Sequence, residues 1–325
     1  MKYLVTGAAG FVGSHLCTSL LSEGNEVWGI DDLSSGKEEN IEHLKGNPRF
    51  NFIEGCISDE SQLIKLIYKV DIIYHLAAVV GVKHYVEDPT RVIDVNVCYT
   101  SSLLENAWKL GKKVVFTSTS EVYGKSESIP FAEEDDRVYG PASTNRWCYA
   151  ISKSAGEYLC LGYAKQGLPV VILRYFNVYG PRADDSAYGG VATRFINQAL
   201  ARTPLTVHGD GAQTRCFTYI DDIVKATMEA GKRPEAEGRI FNLGRERETP
   251  ILELAKMVLK VSGTEGEIVF QPYKEFYGSS YEDIRRRIPD LSAARQILGY
   301  NPSVTLEEGI RETLNWYRNR NNRSG

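Results

Sequence analysis

The first residues of the chain constrain its fold most strongly. The run KYLVT has the pattern of a short β-strand, and the helical pattern FVGSHLCTSLLSEG follows it after a short turn. Gly7 permits that tight turn, Gly10 lets backbone N–H groups approach a pyrophosphate, and Gly13 lets the helix pack closely on the strand. Because a helix N-terminus also favours negative charge, this stretch predicts a dinucleotide-binding βαβ unit.

Strand and helix patterns continue to alternate to about residue 175. Helical patterns separate five apolar runs, which are EVWGI, FNFIEG, DIIYHLAA, KKVVFTSTS and LPVVILRYF. Apolar runs of this kind are typical of buried parallel strands. Parallel strands need crossover connections, so this series predicts a parallel sheet that helices cover on both faces. Beyond that point glycine and proline interrupt the regular series, although several amphipathic helical patterns follow.

We therefore predict an α/β fold with two domains. A Rossmann-type, doubly wound parallel sheet that binds the dinucleotide occupies residues 1–175, and segments at about 214–243 return to it. A smaller, irregular α/β domain occupies residues 176–325 and binds the substrate. The length of 325 residues suits two domains.

Composition excludes several classes of protein. The net charge of −4 and the pI near 5.9 argue against a nucleic-acid partner, which would require a basic face. No apolar run approaches the ~18 residues of a membrane span, and the N-terminus enters the glycine turn without a signal-peptide cleavage site. The six cysteines are scattered, without a CxxC pair or metal-ligand spacing. We expect a soluble cytoplasmic protein with no metal site.

An acidic residue at the end of the second predicted strand indicates which dinucleotide binds. Asp31 lies 18 positions after Gly13, close to the spacing of about 20 at which an acid binds the ribose. A carboxylate there accepts hydrogen bonds from the ribose hydroxyls and repels a 2′-phosphate. Because no arginine follows in DDLSSG, the sequence favours NAD over NADP. Asp32 could share or take this role.

A tyrosine and a lysine in the segment YAISK suggest the chemistry. Tyr149 and Lys153 are four residues apart, so their side chains project from one face of a helix. A lysine ammonium near a phenol favours the phenolate and draws the phenol pKa from ~10 toward neutrality. Tyr149 is therefore a candidate base that removes an alcohol proton while a hydride leaves for NAD.

These features together resemble the extended short-chain dehydrogenase/reductase family of nucleotide-sugar enzymes. The resemblance covers nearly the whole chain and rests on TGAAGFVGSHL, HLAA, STSEVYG, YAISK, RYFNVYGPR and QTRCFTYIDD. It implies that Thr119 hydrogen-bonds the sugar oxygen beside Tyr149 and that Asn96 supports a helix. It also implies a UDP-sugar substrate and a homodimer formed through the helices that hold residues 90–110 and 145–166.

The resemblance also implies which residues bind the cofactor. One departure is Cys56, which stands where the family often has an acid near the adenine. The expected cofactor contacts are Gly7, Gly10, Phe11, Val12, Gly13, Asp31, Asp32, Ser35, Cys56, Ile57, Leu76, Ala77, Ala78, Asn96, Thr117, Tyr149, Lys153 and Tyr175.

Four residues are expected to contact the substrate. Asn177 and Arg215 match family positions that hold the diphosphate, which suits a guanidinium. Val207, in PLTVHGDG, is expected near the base. Arg146, three residues before Tyr149, is a candidate contact to the sugar or its carboxylate, and a surface arginine at the start of a helix is the alternative.

Three reactions share this scaffold, and all begin with oxidation at the sugar C4. A 4,6-dehydratase uses adjacent Asp and Glu after the threonine, whereas this chain has Ser120 and Glu121. A serine hydroxyl is a poor acid for expelling the C6 hydroxyl, which disfavours that reaction. Thr119, Ser120 and Glu121 together resemble the Thr-Ser-Glu trio of UDP-glucuronate decarboxylases, so all three are candidate catalytic residues beside Tyr149 and Lys153.

Other segments support that interpretation. NRWCYAISK and EFYGSSYEDIRRRIPD are similar to segments of decarboxylases that act on UDP-glucuronate. The second contains Arg287, the family's recurrent arginine before Pro-Asp, to which we assign no catalytic role. We predict an NAD-dependent conversion of UDP-glucuronate to UDP-xylose, with the division of roles between Ser120 and Glu121 left open.

Two alternatives remain. A UDP-sugar 4-epimerase would need Thr119, Tyr149 and Lys153 but not Glu121, and RYFNVYGPR, SAYGGV and HLAAVVGV are also similar to bacterial epimerases. A non-catalytic NAD-binding protein could keep this fold without the enzyme. The presence of Thr119, Tyr149 and Lys153 together argues against a non-catalytic role.

Overall fold

The structure is a computed structural model that describes residues 1–81, 87–184, 186, 190–273, 275 and 284–321. The segments HLAAVVGV, SAYGGV and EFYGSSYEDIRRRIPD lie partly outside the described residues. Every candidate site residue lies within the described residues.

The strands, in chain order, are β1 Lys2–Thr6, β2 Glu26–Asp31, β3 Phe50–Glu54, β4 Ile72–His75, β5 Lys113–Thr119, β6 Val170–Tyr175, β7 Val178–Tyr179, β8 Leu205–His208, β9 Thr214–Arg215, β10 Thr218–Tyr219, β11 Arg239–Leu243, β12 Thr249–Pro250 and β13 Ile268–Gln271. The α-helices are α1 Phe11–Ser22, α2 Glu60–Lys69, α3 Pro89–Ile93, α4 Thr100–Lys109, α5 Arg146–Ala164, α6 Val191–Leu200, α7 Ile220–Lys232, α8 Ile251–Ser262 and α9 Leu306–Asn321. A π-helical stretch, Asp94–Tyr99, joins α3 to α4, and a 3-10 helix, Ser120–Tyr123, follows β5.

Seven parallel strands form the central sheet, in the order β11-β6-β5-β4-β1-β2-β3. The inner strands are apolar on both faces because helices cover both sides, and all four residues of β4 are buried. This architecture confirms the predicted doubly wound α/β fold. The six predicted strands are present, and the seventh, β11, comes from within the stretch expected to return to the sheet.

The strand order reverses between β1 and β4. The chain adds β2 and β3 on one side of β1, whereas β4, β5, β6 and β11 extend the other side. In open α/β sheets such a switch point leaves a crevice at the carboxyl ends of the strands, where ligands bind. The glycine turn after β1 and the segment Leu76–Ala78 after β4 flank this crevice.

Helix α5 packs closely against β5. Gly156 makes this approach possible, because a Cβ atom there would come within 2.6 Å of the Phe116 ring. This contact brings the helix face of Tyr149 and Lys153 to the end of β5.

One hydrophobic cluster links the two ends of the chain. It includes Tyr3 and Val5 of β1 together with Leu314 and Tyr317 of α9, all of them buried. The sheet and the C-terminal helices therefore share a core. None of the helices within the described ranges is long and apolar enough to span a membrane.

Candidate active site

A cavity of about 610 Å³ opens at the carboxyl ends of the sheet strands. The predicted cofactor residues line it, with the exception of Asn96: Gly7, Gly10, Phe11, Val12, Gly13, Asp31, Asp32, Ser35, Cys56, Ile57, Leu76, Ala77, Ala78, Thr117, Tyr149, Lys153 and Tyr175.

The glycine turn has the shape that a bound pyrophosphate requires. Gly7 is left-handed (φ 72°), and a Cβ atom on it would lie 2.9 Å from the Ala77 nitrogen. A Cβ on Gly13 would collide with the Gly7 carbonyl. The first intrahelical bond of α1 is Ser14 N–H to the Gly10 carbonyl, at 3.0 Å, which leaves the preceding N–H groups of the helix N-terminus for an anion. The turn therefore fits a dinucleotide.

The two aspartates after β2 differ in their surroundings. Asp31 is 8% exposed; its Oδ2 accepts from the Ala9 N–H and its Oδ1 from the Leu33 N–H, both at 2.9 Å. Burial raises the pKa of Asp31, and these backbone bonds partly counteract that effect. Asp32 is exposed and accepts from the backbone and hydroxyl of Ser34, at 3.0 and 2.6 Å. Only Asp31 is tied to the glycine turn.

This difference gives a prediction. Asp31→Asn should weaken NAD binding about 10- to 100-fold, since a hydrogen bond to a charged group contributes about 1.5–3 kcal/mol. Asp32→Asn should change NAD affinity by no more than about threefold, because its partner is only a local turn. Titration calorimetry with NAD measures both, and equal losses in the two variants would contradict the assignment.

Tyr149, Thr119 and Lys153 meet at the end of the cavity. Tyr149 is buried, and a hydrogen bond joins its hydroxyl to that of Thr119. The Lys153 ammonium donates to the Thr117 carbonyl at 2.8 Å and lies 4.8 Å from the centre of the Phe116 ring. The arrangement places a phenol, an alcohol and an amine beside one another.

Lys153 was expected to lower the pKa of the Tyr149 phenol, but in this arrangement it does not. Burial raises the pKa of Tyr149, and the Glu121 carboxylate raises it further; only the hydrogen bond from Thr119 lowers it. The reason is orientation, because the Lys153 ammonium faces the Thr117 carbonyl. Burial in turn lowers the pKa of Lys153 to about 8.

Glu121 lies in a cluster of arginines next to Tyr149. Its Oε1 accepts from Arg287 Nη1 at 3.1 Å, and its Oε2 lies 4.0 Å from Arg146 Nη2. Burial raises the pKa of this carboxyl, but the charges of Arg287, Arg146 and Arg215 outweigh that effect and hold the pKa below its usual value. Glu121 is therefore ionised at neutral pH.

The arginines differ from their expected roles. Arg146 is 3% exposed, which excludes the surface alternative. Arg287, to which no catalytic role was assigned, is 5% exposed and pairs directly with Glu121. The two are 166 positions apart in the chain, so no local pattern could have indicated the pair. Ser120 begins the 3-10 helix and is buried.

Two predicted binding residues need correction. Asn96 lies outside the cavity: its Oδ1 accepts from the Val79 N–H at 2.8 Å and its Nδ2 donates to the Val79 carbonyl and to Ser152, both at 3.1 Å. It therefore holds the cavity wall rather than the cofactor. Val207 is completely buried, because alternate residues of β8 point into the core, and it cannot contact a base.

Asn177 lies just after β6 in the left-handed region, with φ 40°. Its Nδ2 is buried and has no hydrogen-bond partner within the described part of the chain. A buried amide donor of this kind suits an acceptor such as a phosphate oxygen. Arg215, on β9, donates to the Thr214 carbonyl at 2.8 Å and is close enough to Glu121 to lower its pKa.

Sequence reasoning also missed part of the cavity wall. Arg182 lines the cavity, has a left-handed backbone (φ 65°) and donates to Thr18 at 3.3 Å. Its position after Gly-Pro gave no sign of this placement. Among the described residues, no group of side chains could hold a metal ion.

Comparisons with known proteins bear on this geometry. The model of the NAD-dependent epimerase/dehydratase family matches residues 3–244. The UDP-N-acetyl-alpha-D-glucosaminuronate decarboxylase of Bacillus cytotoxicus is 44% identical over 317 residues, which cover 98% of each chain. UDP-glucuronic acid decarboxylase 1 of Arabidopsis thaliana is 37% identical over 98% of this chain and 70% of the relative.

A solved structure is similar over the whole fold. It is the UDP-glucuronic acid 4-epimerase of Bacillus cereus in complex with UDP-glucuronic acid and NAD. The TM-score is 0.88 and the sequence identity 36%, over 98% of this chain and 100% of that chain.

Proposed function

The chain belongs to the NAD-dependent epimerase/dehydratase family, and from the site geometry we propose that it is a UDP-glucuronate decarboxylase that forms UDP-xylose. The observation that carries the proposal is the cluster of three arginines around Glu121, directly beside Tyr149. The cofactor is NAD, as the glycine turn and Asp31 predict.

The arginine cluster suits a substrate that carries a carboxylate. The charges of three guanidinium groups, those of Arg287, Arg146 and Arg215, act on the carboxylate of Glu121. Arg146 and Arg287 are nearly completely buried, and a planar guanidinium in such surroundings binds a carboxylate strongly. We infer that the C6 carboxylate of a hexuronate binds here.

The chemistry follows from the groups that meet at the cavity end. NAD, when bound, accepts the C4 hydride and later returns it. In its phenolate form, which the positive charge of the nicotinamide would favour against the effect of burial, Tyr149 takes the proton of the C4 hydroxyl, and Thr119 holds the sugar oxygen. With C4 a ketone, the uronate is a β-keto acid: the C5–C6 bond breaks, carbon dioxide leaves, and the electron pair moves toward the C4 oxygen. Tyr149 and Thr119 donate hydrogen bonds to the enolate.

The lowered pKa of Glu121 limits its role. An ionised carboxylate has no proton to donate to C5, so we propose that Glu121 orients Arg146 and Arg287 against the substrate carboxylate. Ser120, which lies between Thr119 and Glu121 in the chain, is then the remaining candidate of the trio to assist reprotonation at C5.

The curated relatives named above as decarboxylases support this proposal. The second candidate is a UDP-hexuronate 4-epimerase, which the similar solved epimerase favours. An epimerase would also use Tyr149, Thr119 and Lys153, but it must retain the carboxylate.

One assay separates the two candidates. The purified protein is incubated with NAD and either UDP-glucuronate or UDP-N-acetylglucosaminuronate, and the nucleotide sugar is weighed by mass spectrometry. Loss of the mass of carbon dioxide supports decarboxylation, and chromatography against UDP-xylose identifies the reduced product. Unchanged mass with inversion at C4 would make the protein an epimerase, and no change with either uronate would overturn the proposal.

Lys153 predicts the pH dependence. Its pKa is lowered from 10.5 to about 8. We assign the ammonium to the active form because in that form Lys153 holds the end of β5 through the Thr117 carbonyl, and this form is lost as the pH rises through about 8. With saturating NAD, kcat/KM should fall about tenfold per pH unit above about pH 8. The folded chain also binds this proton more weakly than the unfolded chain, so this group makes stability rise with pH between about 8 and 10.5. A pH–rate profile that stays flat to the ordinary lysine pKa would contradict the assignment.

We also propose that the protein is a cytoplasmic homodimer. Four apolar side chains on the helices expected to pair are more than a third exposed: Ile93, Trp108, Ile151 and Tyr158. Burying them against a second copy would remove apolar surface from water. Ile151→Glu should convert the dimer to a monomer in analytical ultracentrifugation, and an unchanged dimer would exclude this face.

The six cysteines are free thiols, as in a reducing compartment.

A further inference from the structure

A buried carboxylate lies behind the catalytic groups. Glu157, on α5, follows Lys153 by four residues and Tyr149 by eight, so the three occupy one face of the helix. Its side chain is completely buried. The reaction proposed above does not use it.

The Glu157 carboxylate is fully hydrogen-bonded. Its Oε1 accepts from Ser118 Oγ at 2.5 Å and from Arg174 Nε at 2.9 Å. Its Oε2 accepts from Arg137 Nη2 at 2.6 Å and from Arg174 Nη2 at 2.7 Å. Buried charges are retained only with such complete pairing. The carboxylate thus ties α5 to both β5 and β6.

Arg174 is itself fixed on its other side. Its Nη1 donates to the Tyr123 hydroxyl at 2.7 Å and to the Glu133 carbonyl at 2.9 Å. The Tyr123 hydroxyl donates in turn to Asn242 Oδ1 at 2.7 Å. A guanidinium held at this many points gives Glu157 a rigid support.

Three consecutive residues of β5 contact the same face of α5. The Thr117 carbonyl accepts from Lys153, Ser118 donates to Glu157, and Thr119 is hydrogen-bonded to Tyr149. Of these three contacts, the one between Ser118 and Glu157 involves a carboxylate that Arg174 holds in place. This contact therefore fixes the distance between the last residues of β5 and helix α5.

We propose that Glu157, acting through Ser118, is a positioning residue that keeps Thr119 and Tyr149 at hydrogen-bond distance. The inference rests on the proposed function only in that turnover must be measurable. Small displacements of reacting groups cost up to about 10²-fold in rate, so the contact should affect kcat far more than binding.

The chain offers a matched pair of serines for the test. Ser118→Ala removes the link between Glu157 and β5 and leaves both arginines paired with the carboxylate. Ser154→Ala removes a hydroxyl that accepts from Arg137 in the same cluster but makes no link to β5. Both serines are buried, so the two changes should have similar effects on thermal unfolding.

We expect Ser118→Ala to lower kcat about 10- to 100-fold, with KM for the nucleotide sugar and Kd for NAD unchanged within about twofold. Ser154→Ala should keep the wild-type kcat. Glu157→Asp retains the charge opposite Arg174 but withdraws the carboxylate from Ser118, so it should lower kcat by a similar factor.

Three results would overturn the inference. They are a wild-type kcat in Ser118→Ala or Glu157→Asp, an equal loss of kcat in Ser154→Ala, and a loss of NAD affinity in Ser118→Ala that accounts for its lower rate. Turnover of the UDP-uronates by the wild-type protein distinguishes failure of this inference from failure of the proposed function. If it turns over neither UDP-uronate, the proposed function fails, whereas an active wild type with an equally active Ser118→Ala variant refutes only the positioning role.

Discussion

Tyr149→Phe should abolish turnover while NAD binding and the fold persist. The phenol is the group assigned to carry the C4 hydroxyl proton, and removing a positioned acid–base group costs about 10²–10⁴-fold in rate. The ring packs in a small cluster with Val79 and Val92, which phenylalanine would preserve. The hydrogen bond with Thr119 is lost, so stability should change by about 0.5–1.5 kcal/mol. Steady-state kinetics, NAD titration and thermal unfolding test the three parts.

A second tyrosine provides the control. Tyr179 is also buried and donates to the Leu306 carbonyl at 3.3 Å, away from the cavity. Tyr179→Phe should therefore retain turnover within about threefold while it loses a comparable hydrogen bond. Full turnover in Tyr149→Phe would remove this residue from the chemistry and revive the hypothesis of a non-catalytic NAD-binding protein.

Glu121→Gln should both stop carbon dioxide loss and destabilise the fold. The change leaves Arg146 and Arg287 buried without their carboxylate, and breaking a buried ion pair costs about 3–5 kcal/mol. Because the Glu121 side chain is 19% exposed, screening reduces this to about 2–3 kcal/mol. Misdirected arginines should lower kcat for decarboxylation at least about 10²-fold.

The stability difference should depend on pH. The folded-state pKa of Glu121 lies below its unfolded value, so its contribution is complete above the ordinary glutamate pKa and is lost as the pH falls through the lowered value. The free energies of unfolding of the wild type and of Glu121→Gln, measured with denaturant, should therefore become equal in acid.

Glu246→Gln is the control, because Glu246 forms a bidentate ion pair with Arg295 in which both side chains are nearly half exposed. It should cost at most about 1 kcal/mol. Equal costs for the two variants, or undiminished decarboxylation in Glu121→Gln, would contradict the role assigned to the arginine cluster.

The sequence predicted those parts of the fold that depend on residues close together in the chain. The glycine turn and the apolar strand runs specify the sheet, because turn geometry and strand burial depend on neighbouring residues. The seventh strand, β11, was not among the predicted runs, since RIFNL is short and follows β6 only after 63 intervening residues. Pairing at a sheet edge over such a separation leaves no periodic signal.

The site was less predictable than the fold for the same reason. The spacing of Tyr149 and Lys153 indicated the first residue, and the family resemblance indicated Thr119 and Glu121, but the Glu121–Arg287 pair joins residues 166 positions apart. Helix spacing placed Lys153 beside Tyr149 yet could not show that its ammonium would face the Thr117 carbonyl. Val207 was assigned to a ligand by position alone, and only its complete burial in the folded chain shows that it points inward.

The hydrophobic cluster shared by β1 and α9 has a consequence for biosynthesis. Tyr3 and Val5 leave the ribosome long before Leu314 and Tyr317, because nearly the whole described chain lies between them. Until then the apolar surface that α9 covers remains open to water and to other nascent chains, a state that invites aggregation. Because they share this core, the sheet and the C-terminal helix cannot be exchanged as independent modules.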